Sequence, residues 1–399
     1  MQDPTGTDAL FAPLQLPCGV TLKNRLAKSA MSDSLGDGTG HPTPEQIALY
    51  RRWAQGGVAL SIIGEVQGRH DAPEKPGNLV LNDQSNLTRF EALAEAGQAD
   101  GAQLWLQLGH AGALAFPPIS RPKGPSALDL PGLTCAELTL DEIAALPEEF
   151  ARTTRLARRA GFGGVQVHAA HGFLLSQFLS PLFNRRTDGY GGSPEARRRL
   201  LFEVIEAVTS EAGPGFAVGI KLNATDQLQG GLTRPEALDV VAALDATAVD
   251  LIDISGGTYF PGAPAASDGG GRGPYFTDFA ALARGRTSKP LMVTGGFKTA
   301  EQAEAARAAG ATDMIGLARA LALLPDLPRR WQAGRDRAPA FPRFRDPPEG
   351  GVTAWYTMRL TALAEQGNGP DPGDLPEIIA AYEARDHARA ETWRGHFGA

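Results

Sequence analysis

Eight short apolar runs recur along this chain, and each is followed by an amphipathic helical pattern or a long loop. The runs fall at residues 26–31, 58–63, 103–108, 165–167, 216–222, 249–254, 291–293 and 314–317. They are too uniformly apolar to carry a wet face, which fits strands buried on both sides of a parallel sheet. Helical patterns intervene at 44–55, 86–99, 140–160, 194–211, 233–246, 275–285 and 299–309. Thr43, with Pro44 and Glu45 in the first turn, and Thr233 read as caps at two of their starts. Eight strands alternating with helices predict an α/β chain folded as a (β/α)8 TIM barrel. On that reading residues 1–330 form the barrel. Residues 109–140 are a Pro- and Gly-punctuated insertion after strand 3 that passes over the barrel mouth, and 256–273 are a glycine-rich loop. Residues 331–399 form a helical C-terminal extension, with helical patterns at 352–365 and 375–387. Such an extension can pack on the barrel, reach a neighbouring subunit to make a homo-oligomer, or fray.

Charge and cysteine usage narrow the class. The formal net charge is -7, and no basic stripe stands out, so nucleic acid is not an expected partner. Arg155, Arg158 and Arg159, and Arg197, Arg198 and Arg199, fall on predicted helices and read as solvated faces. Cys18 and Cys135 are the only 2 cysteines, far apart, which argues against a disulfide framework and against structural zinc. Residues 1–16 lack a positive leader followed by an apolar core, and no run of about 18 apolar residues occurs. A cytoplasmic protein with no membrane partner and a small-molecule substrate is the expectation.

The most informative stretch is residues 161–193. A glycine cluster precedes the run Val165–Val167, and His168 and His171 follow where that strand should stop. In a barrel of parallel strands, side chains at the strand C-termini point into the active-site mouth, so two imidazoles there read as a substrate clamp. A lone histidine is as readily a core or loop residue satisfied by carbonyls; the pairing at a strand end favours the clamp. Later in the chain, Gly295 and Gly296 end strand seven, and Ala318 and Arg319 follow strand eight. Loops after these two strands often hold a phosphate, where small residues let backbone N–H groups approach and an arginine adds charge. A simple tight turn would also explain the glycines; Arg319 at the adjacent strand end favours the anion. No Gly-x-Gly-x-x-Gly joins a strand to a helix, so a mononucleotide fits better than a dinucleotide held in a Rossmann unit.

Five blocks then appear in order: Asn24–Ser32, Trp105–Gly112, the His168–Pro181 run, Gly219–Asn223 and Val293–Gly296. Together, over roughly residues 10–330, they resemble the Old Yellow Enzyme family of FMN-dependent NAD(P)H oxidoreductases. The resemblance implies bound FMN and a transient NAD(P)H reductant. It implies that Ala30, Met31 and Ser32 lie along the flavin, with the Ser32 hydroxyl near its C4=O and N5 edge. Gly64 would approach the ring by its backbone, Gln107 would bond the pyrimidine edge, and Lys221 would sit beside N1 and C2=O. Gly295, Gly296, Ala318 and Arg319 would hold the phosphate. His168 and His171 would donate to the oxygen of a substrate stacked over the flavin, polarising an activated alkene for hydride transfer from N5 in ping-pong turnover.

Two departures from the family pattern bear on chemistry. The tyrosine usually found just after His-Gly, which protonates the substrate α-carbon, is Phe173 here, and a second tyrosine found in some members is replaced by Asp33-Ser34. The proton must come from water or from another group, with Tyr259 and Tyr356 as candidates. Losing a general acid costs on the order of 100-fold or more, which favours a quinone, a nitro compound or oxygen over an enone as acceptor. Glu65, next to Gly64, is a carboxylate where an anionic reduced flavin would disfavour one, unless it is neutral or turned away. A flavin-free aldolase or isomerase using Lys221 as a Schiff-base amine, and a silent ligand-binding barrel, are the competing classes.

Overall fold

The computed structural model describes residues 9–261, 263, 273–335, 338–348, 350–367 and 373–398; most of the glycine-rich loop read at 256–273 lies outside them. Eight parallel strands close into a ring: β1 Leu26–Lys28, β2 Leu60–Gln67, β3 Gln103–Gly109, β4 Gly164–Ala169, β5 Ala217–Asn223, β6 Leu251–Ser255, β7 Leu291–Thr294 and β8 Met314–Leu317. Each pairs with its neighbour in sequence, and β8 pairs back onto β1. The (β/α)8 barrel expected from the alternation is therefore the fold. Every residue of β1, β2, β4, β5, β6, β7 and β8 is buried, as strands covered by helices outside and by packed side chains inside must be.

The outer helices include α1 Pro44–Gln55, α2 Leu87–Gly97, α3 Leu140–Arg159, α4 Pro194–Ala212, α5 Arg234–Leu244, α6 Thr277–Arg284 and α7 Ala300–Ala308. Their starts are fixed by side chains that satisfy orphan backbone donors. Thr43 Oγ1 accepts from Gln46 N, and complete capping boxes join Thr139 to Glu142 and Thr233 to Glu236. A helix at Gly351–Gln366, α8, packs on α1 and on the short helix Arg319–Leu323, and so takes the eighth outer position. At the other end of the barrel, a small hairpin pairs Leu14–Gln15 with Thr21–Leu22. Leu14, Leu16 and Leu22 pack there with Leu60, Trp105 and Met292, plugging the ring at the strand starts.

Two features differ from the sequence expectation. Strand two, expected at 58–63, continues to Gln67, and its register against β3 shifts between Ile63 and Val66. The shift is a bulge at Gly64 and Glu65, with Glu65 at φ 61°, and bulges re-aim side chains next to active sites. The insertion at 109–140 is not bare loop: it carries a three-stranded sheet of Lys123–Gly124, Leu128–Leu130 and Leu133–Glu137.

The last helix, α9 Leu375–Phe397, lies across the loops that follow β1, β2 and β3. Trp393 is fully buried with Val80, Ile119 and Ala390, and its Nε1 donates to His70 O at 3.1 Å. Arg389 Nη1 donates to Ser34 O, and Arg394 Nη1 to Pro118 O at 3.1 Å. Truncation of so large a buried ring leaves a cavity as well as losing transfer energy. Trp393→Ala should therefore destabilise the chain by about 3–5 kcal/mol in urea unfolding, with proteolysis of the loops around His70 as a second readout.

Candidate active site

The register of the barrel sets the site. His168 on β4 is opposite Lys221 on β5, which is opposite Asp253 on β6. Side chains in such a row share a face of the sheet, here the interior at the strand C-termini. Two residues earlier on β4, Gln166 is opposite Gln107 on β3, one layer deeper. The sequence placed His168, Lys221 and Gln107 at strand ends separately; closure of the ring brings them together.

A continuous polar network links these layers. Gln107 Nε2 donates to Gln166 Oε1 at 2.7 Å, and Gln166 Nε2 donates to Asp253 Oδ2 at 3.2 Å. Thr294 Oγ1 donates to Asp253 Oδ1 at 2.7 Å, so Ser29 Oγ, 2.8 Å away, is the donor to Thr294. Lys221 Nζ lies 3.3 Å from Asp253 Oδ2, and both side chains are at most 1% exposed. Burial raises the Asp253 pKa, while Lys221 and the three hydrogen bonds oppose the rise. An ammonium has three donors, and Asp253 takes one. The remaining two are buried and suit an acceptor-bearing ring.

The two histidines lie together, ring centroids 5.3 Å apart and nearly perpendicular. Burial and the Lys221 charge hold both pKa values well below the usual imidazole range, so both are neutral and each carries one N–H. Ala170 N donates to His168 Nδ1 at 3.4 Å, which leaves the proton on Nε2. That nitrogen faces Glu65 Oε1 at 3.2 Å. His171 sits at φ 60°, held by Asn223 Oδ1 accepting from its backbone N at 3.0 Å, and its Nε2 is 2.9 Å from Ser255 Oγ.

Phe173 is 2% exposed and packs on His168, centroids 4.7 Å apart. Tyr259 is 57% exposed and lies 5.9 Å from the His171 ring and 6.1 Å from the Phe173 ring. Its backbone N donates to His171 O at 3.0 Å. Tyr356, the other tyrosine picked out in the sequence, lies under Arg319 instead, with the guanidinium 5.4 Å from its ring centre; burial pushes its phenol up to about 12.

The remaining sequence-picked residues line the same end of the barrel. Ala30, Met31 and Ser32 follow β1 and are half-buried. Gly64 backs directly onto them: a Cβ there would fall 2.6 Å from the Met31 carbonyl carbon. Gly295 and Gly296 have φ of 115° and 86°, a conformation that favours glycine. A Cβ on Gly296 would meet Gly273 O at 2.2 Å. Arg319 has no carboxylate partner among the described residues. A guanidinium with no carboxylate partner among the described residues, following the strand that pairs with the one Gly295 and Gly296 end, suits a phosphate. The Lys221 donors not taken by Asp253 suit a polar ring edge, so the residues present fit a flavin mononucleotide.

Residues 9–338 match the family model described as NADH:flavin oxidoreductase / NADH oxidase family. The chain belongs to this family. It is 35% identical, over 79% of its length, to the NADH-dependent flavin oxidoreductase iliE of Neonectria sp., of which it spans 46%. It is 33% identical to an NADPH dehydrogenase of Bacillus licheniformis, covering 80% of this chain and 93% of that one. Among solved structures, an old yellow enzyme homologue from Zymomonas mobilis superposes with a TM-score of 0.73 at 25% identity, covering 84% of this chain and 95% of the other. The Old Yellow Enzyme resemblance read from the five blocks is thus borne out, and with it FMN as cofactor and NAD(P)H as reductant.

Asp253, Gln166 and Ser255 were not picked from the sequence. Asp253 and Gln166 did carry a signal, a polar residue inside an otherwise apolar strand. The Glu65–His168 contact carried none, since it spans two strands. Removing one partner of a buried ion pair leaves the other charge uncompensated. Asp253→Asn should accordingly cost about 3–5 kcal/mol in denaturant unfolding.

Proposed function

We propose that this chain passes hydride from NAD(P)H to a small acceptor that carries its conjugated oxygen against the histidine pair, in ping-pong turnover. FMN, when bound, would supply two-electron redox chemistry between the nicotinamide and the acceptor. Lys221, with Asp253 fixing its ammonium, would hold the pyrimidine edge and favour negative charge there. Gln107 would add a hydrogen bond to the same edge. Arg319 and the Gly295–Gly296 turn would hold the phosphate, and Ala30, Met31, Ser32, Gly64 and Ala318 would line the cofactor. His168 and His171, both neutral, would orient the acceptor by hydrogen bonds to its oxygen.

An α,β-unsaturated carbonyl and a quinone or nitro compound both answer that description. Phe173 favours the second class. Its buried ring on His168 has no proton to give to an α-carbon, whereas a quinone is reduced at oxygen, within reach of the imidazoles. Tyr259 is the nearer of the two tyrosines to the histidines and is the candidate donor where carbon must be protonated. The Schiff-base alternative is disfavoured because Lys221 Nζ is engaged by Asp253 Oδ2 at 3.3 Å in a buried ion pair, not free to attack a carbonyl.

Purified protein should be yellow, should bleach anaerobically with NADH or NADPH, and should reoxidise faster with 1,4-benzoquinone than with 2-cyclohexenone. Colourless protein that takes up no added FMN, or flavin that neither nicotinamide bleaches, would remove the assignment. Phe173→Tyr should speed the enone reaction alone, by on the order of 100-fold, in stopped-flow reoxidation; equal acceleration of the quinone would contradict the role given to this position.

A further inference from the structure

His171 is tethered from the ends of two neighbouring strands. Asn223 ends β5 and Ser255 ends β6, and the register sets them opposite each other, so their side chains share a face. Asn223 Oδ1 accepts from His171 N at 3.0 Å. That amide is itself pinned, because its Nδ2 donates to Asp226 Oδ1 at 3.1 Å and to Gly257 O at 2.8 Å. Tyr259 N donates to His171 O at 3.0 Å. These bonds hold His171 at φ 60°, a conformation that non-glycine residues keep only where the surroundings over-determine it. With the backbone fixed, the ring takes one further bond: Nε2 lies 2.9 Å from Ser255 Oγ. Ser255 is 6% exposed, and its hydroxyl has no other partner among the described residues. His171 is half-buried, and Nδ1 is left as its open hydrogen-bonding atom.

We infer that the Ser255 hydroxyl donates a hydrogen bond to His171 Nε2 and so fixes the ring in the tautomer with its hydrogen on Nδ1. On the functional reading above, on which this consequence rests, Nδ1–H is then the donor offered to the acceptor's oxygen. A neutral imidazole has one N–H, and burial with the Lys221 charge keeps His171 neutral, so two tautomers compete. With the hydrogen on Nε2, that nitrogen would donate to Ser255 Oγ and leave the buried serine O–H with no acceptor. A buried hydroxyl is better left with spare lone pairs than with an unmet proton. The same tautomer would turn a bare Nδ1 lone pair toward the lone pairs of the acceptor's oxygen. With the hydrogen on Nδ1, the serine proton is met and the open atom of the ring is a donor.

His168 is set the other way round. Its Nδ1 accepts from Ala170 N at 3.4 Å, which leaves the hydrogen on Nε2. The two rings thus donate through different nitrogens, and each choice is made by a neighbour, a backbone N–H for His168 and a serine hydroxyl for His171. A pair of donors suits an oxygen that presents only lone pairs, as in a quinone, a nitro group or a conjugated carbonyl, and stabilises negative charge as it develops there. Ser255 bonds the ring nitrogen that the acceptor does not use. It is a positioning residue that acts through His171.

The test uses the full FMN-loaded chain carrying 15N-labelled histidine. Long-range 1H–15N correlation spectra near neutral pH should show His171 with a protonated Nδ1 and a bare Nε2, its signals identified by their loss in His171→Gln. Ser255→Ala should move the hydrogen to Nε2 and slow stopped-flow reoxidation of the NADH-reduced protein by 1,4-benzoquinone about tenfold. Ser255→Thr keeps the hydroxyl and should retain the wild-type tautomer and rate. Ser255→Gly removes the same hydroxyl and serves if Ser255→Ala does not fold. Hydrogen on Nε2 in wild type overturns the inference, as do hydrogens on both nitrogens. So does a chain without the hydroxyl that keeps the wild-type tautomer, whatever its rate. Failure to bleach with NADH overturns the functional reading instead, and the spectra still decide the tautomer.

Discussion

The buried Lys221–Asp253 ion pair is the interaction on which the mouth of this barrel depends. A lone ammonium or carboxylate at that depth would be driven to its neutral form. Together, with Gln166 and Thr294 donating to the carboxylate, they keep a fixed charge where water is excluded. Burial, reinforced by that charge, holds both histidines neutral, and the same charge favours ionisation of Glu65 less strongly than burial opposes it. The protonation states of the site follow from burial first and from the lysine charge second.

Glycines decide what the side chains can reach. Gly64 lets β2 lie against the backbone after β1, and Gly109 clears the path from Glu65 to His168. Gly295 and Gly296 allow the turn beside Arg319. A barrel built from branched strand residues offers little room at its mouth, so each close approach needs a position without Cβ. The loops after β1, β2 and β3 are tied to one helix, α9, through Arg389, Trp393 and Arg394. Among the described residues no helix is long and apolar enough to cross a membrane.

Much of this was legible in the chain. The eight apolar runs specified the barrel because strands buried on both faces have no choice of composition. Two helix starts were legible because Thr43 and Thr233 cap by local geometry, within three residues of the groups they satisfy. The histidine pair, Lys221 and Gln107 could be placed at strand ends for the same local reason, and the five blocks pointed to the family that residues 9–338 match.

What those residues touch was decided by closure of the ring. The bulge at Gly64–Glu65 carries no periodic signal, yet it turns Glu65 toward a histidine 103 positions later. Tyr259 and Tyr356 look alike in sequence, but one stands beside the histidines and the other under Arg319. Local pattern is set by each residue's own burial and backbone preference, so the sequence by itself determined the elements and their order. Contacts across strands depend on register, on bulges and on where side chains are missing, and these take their values only when the barrel closes.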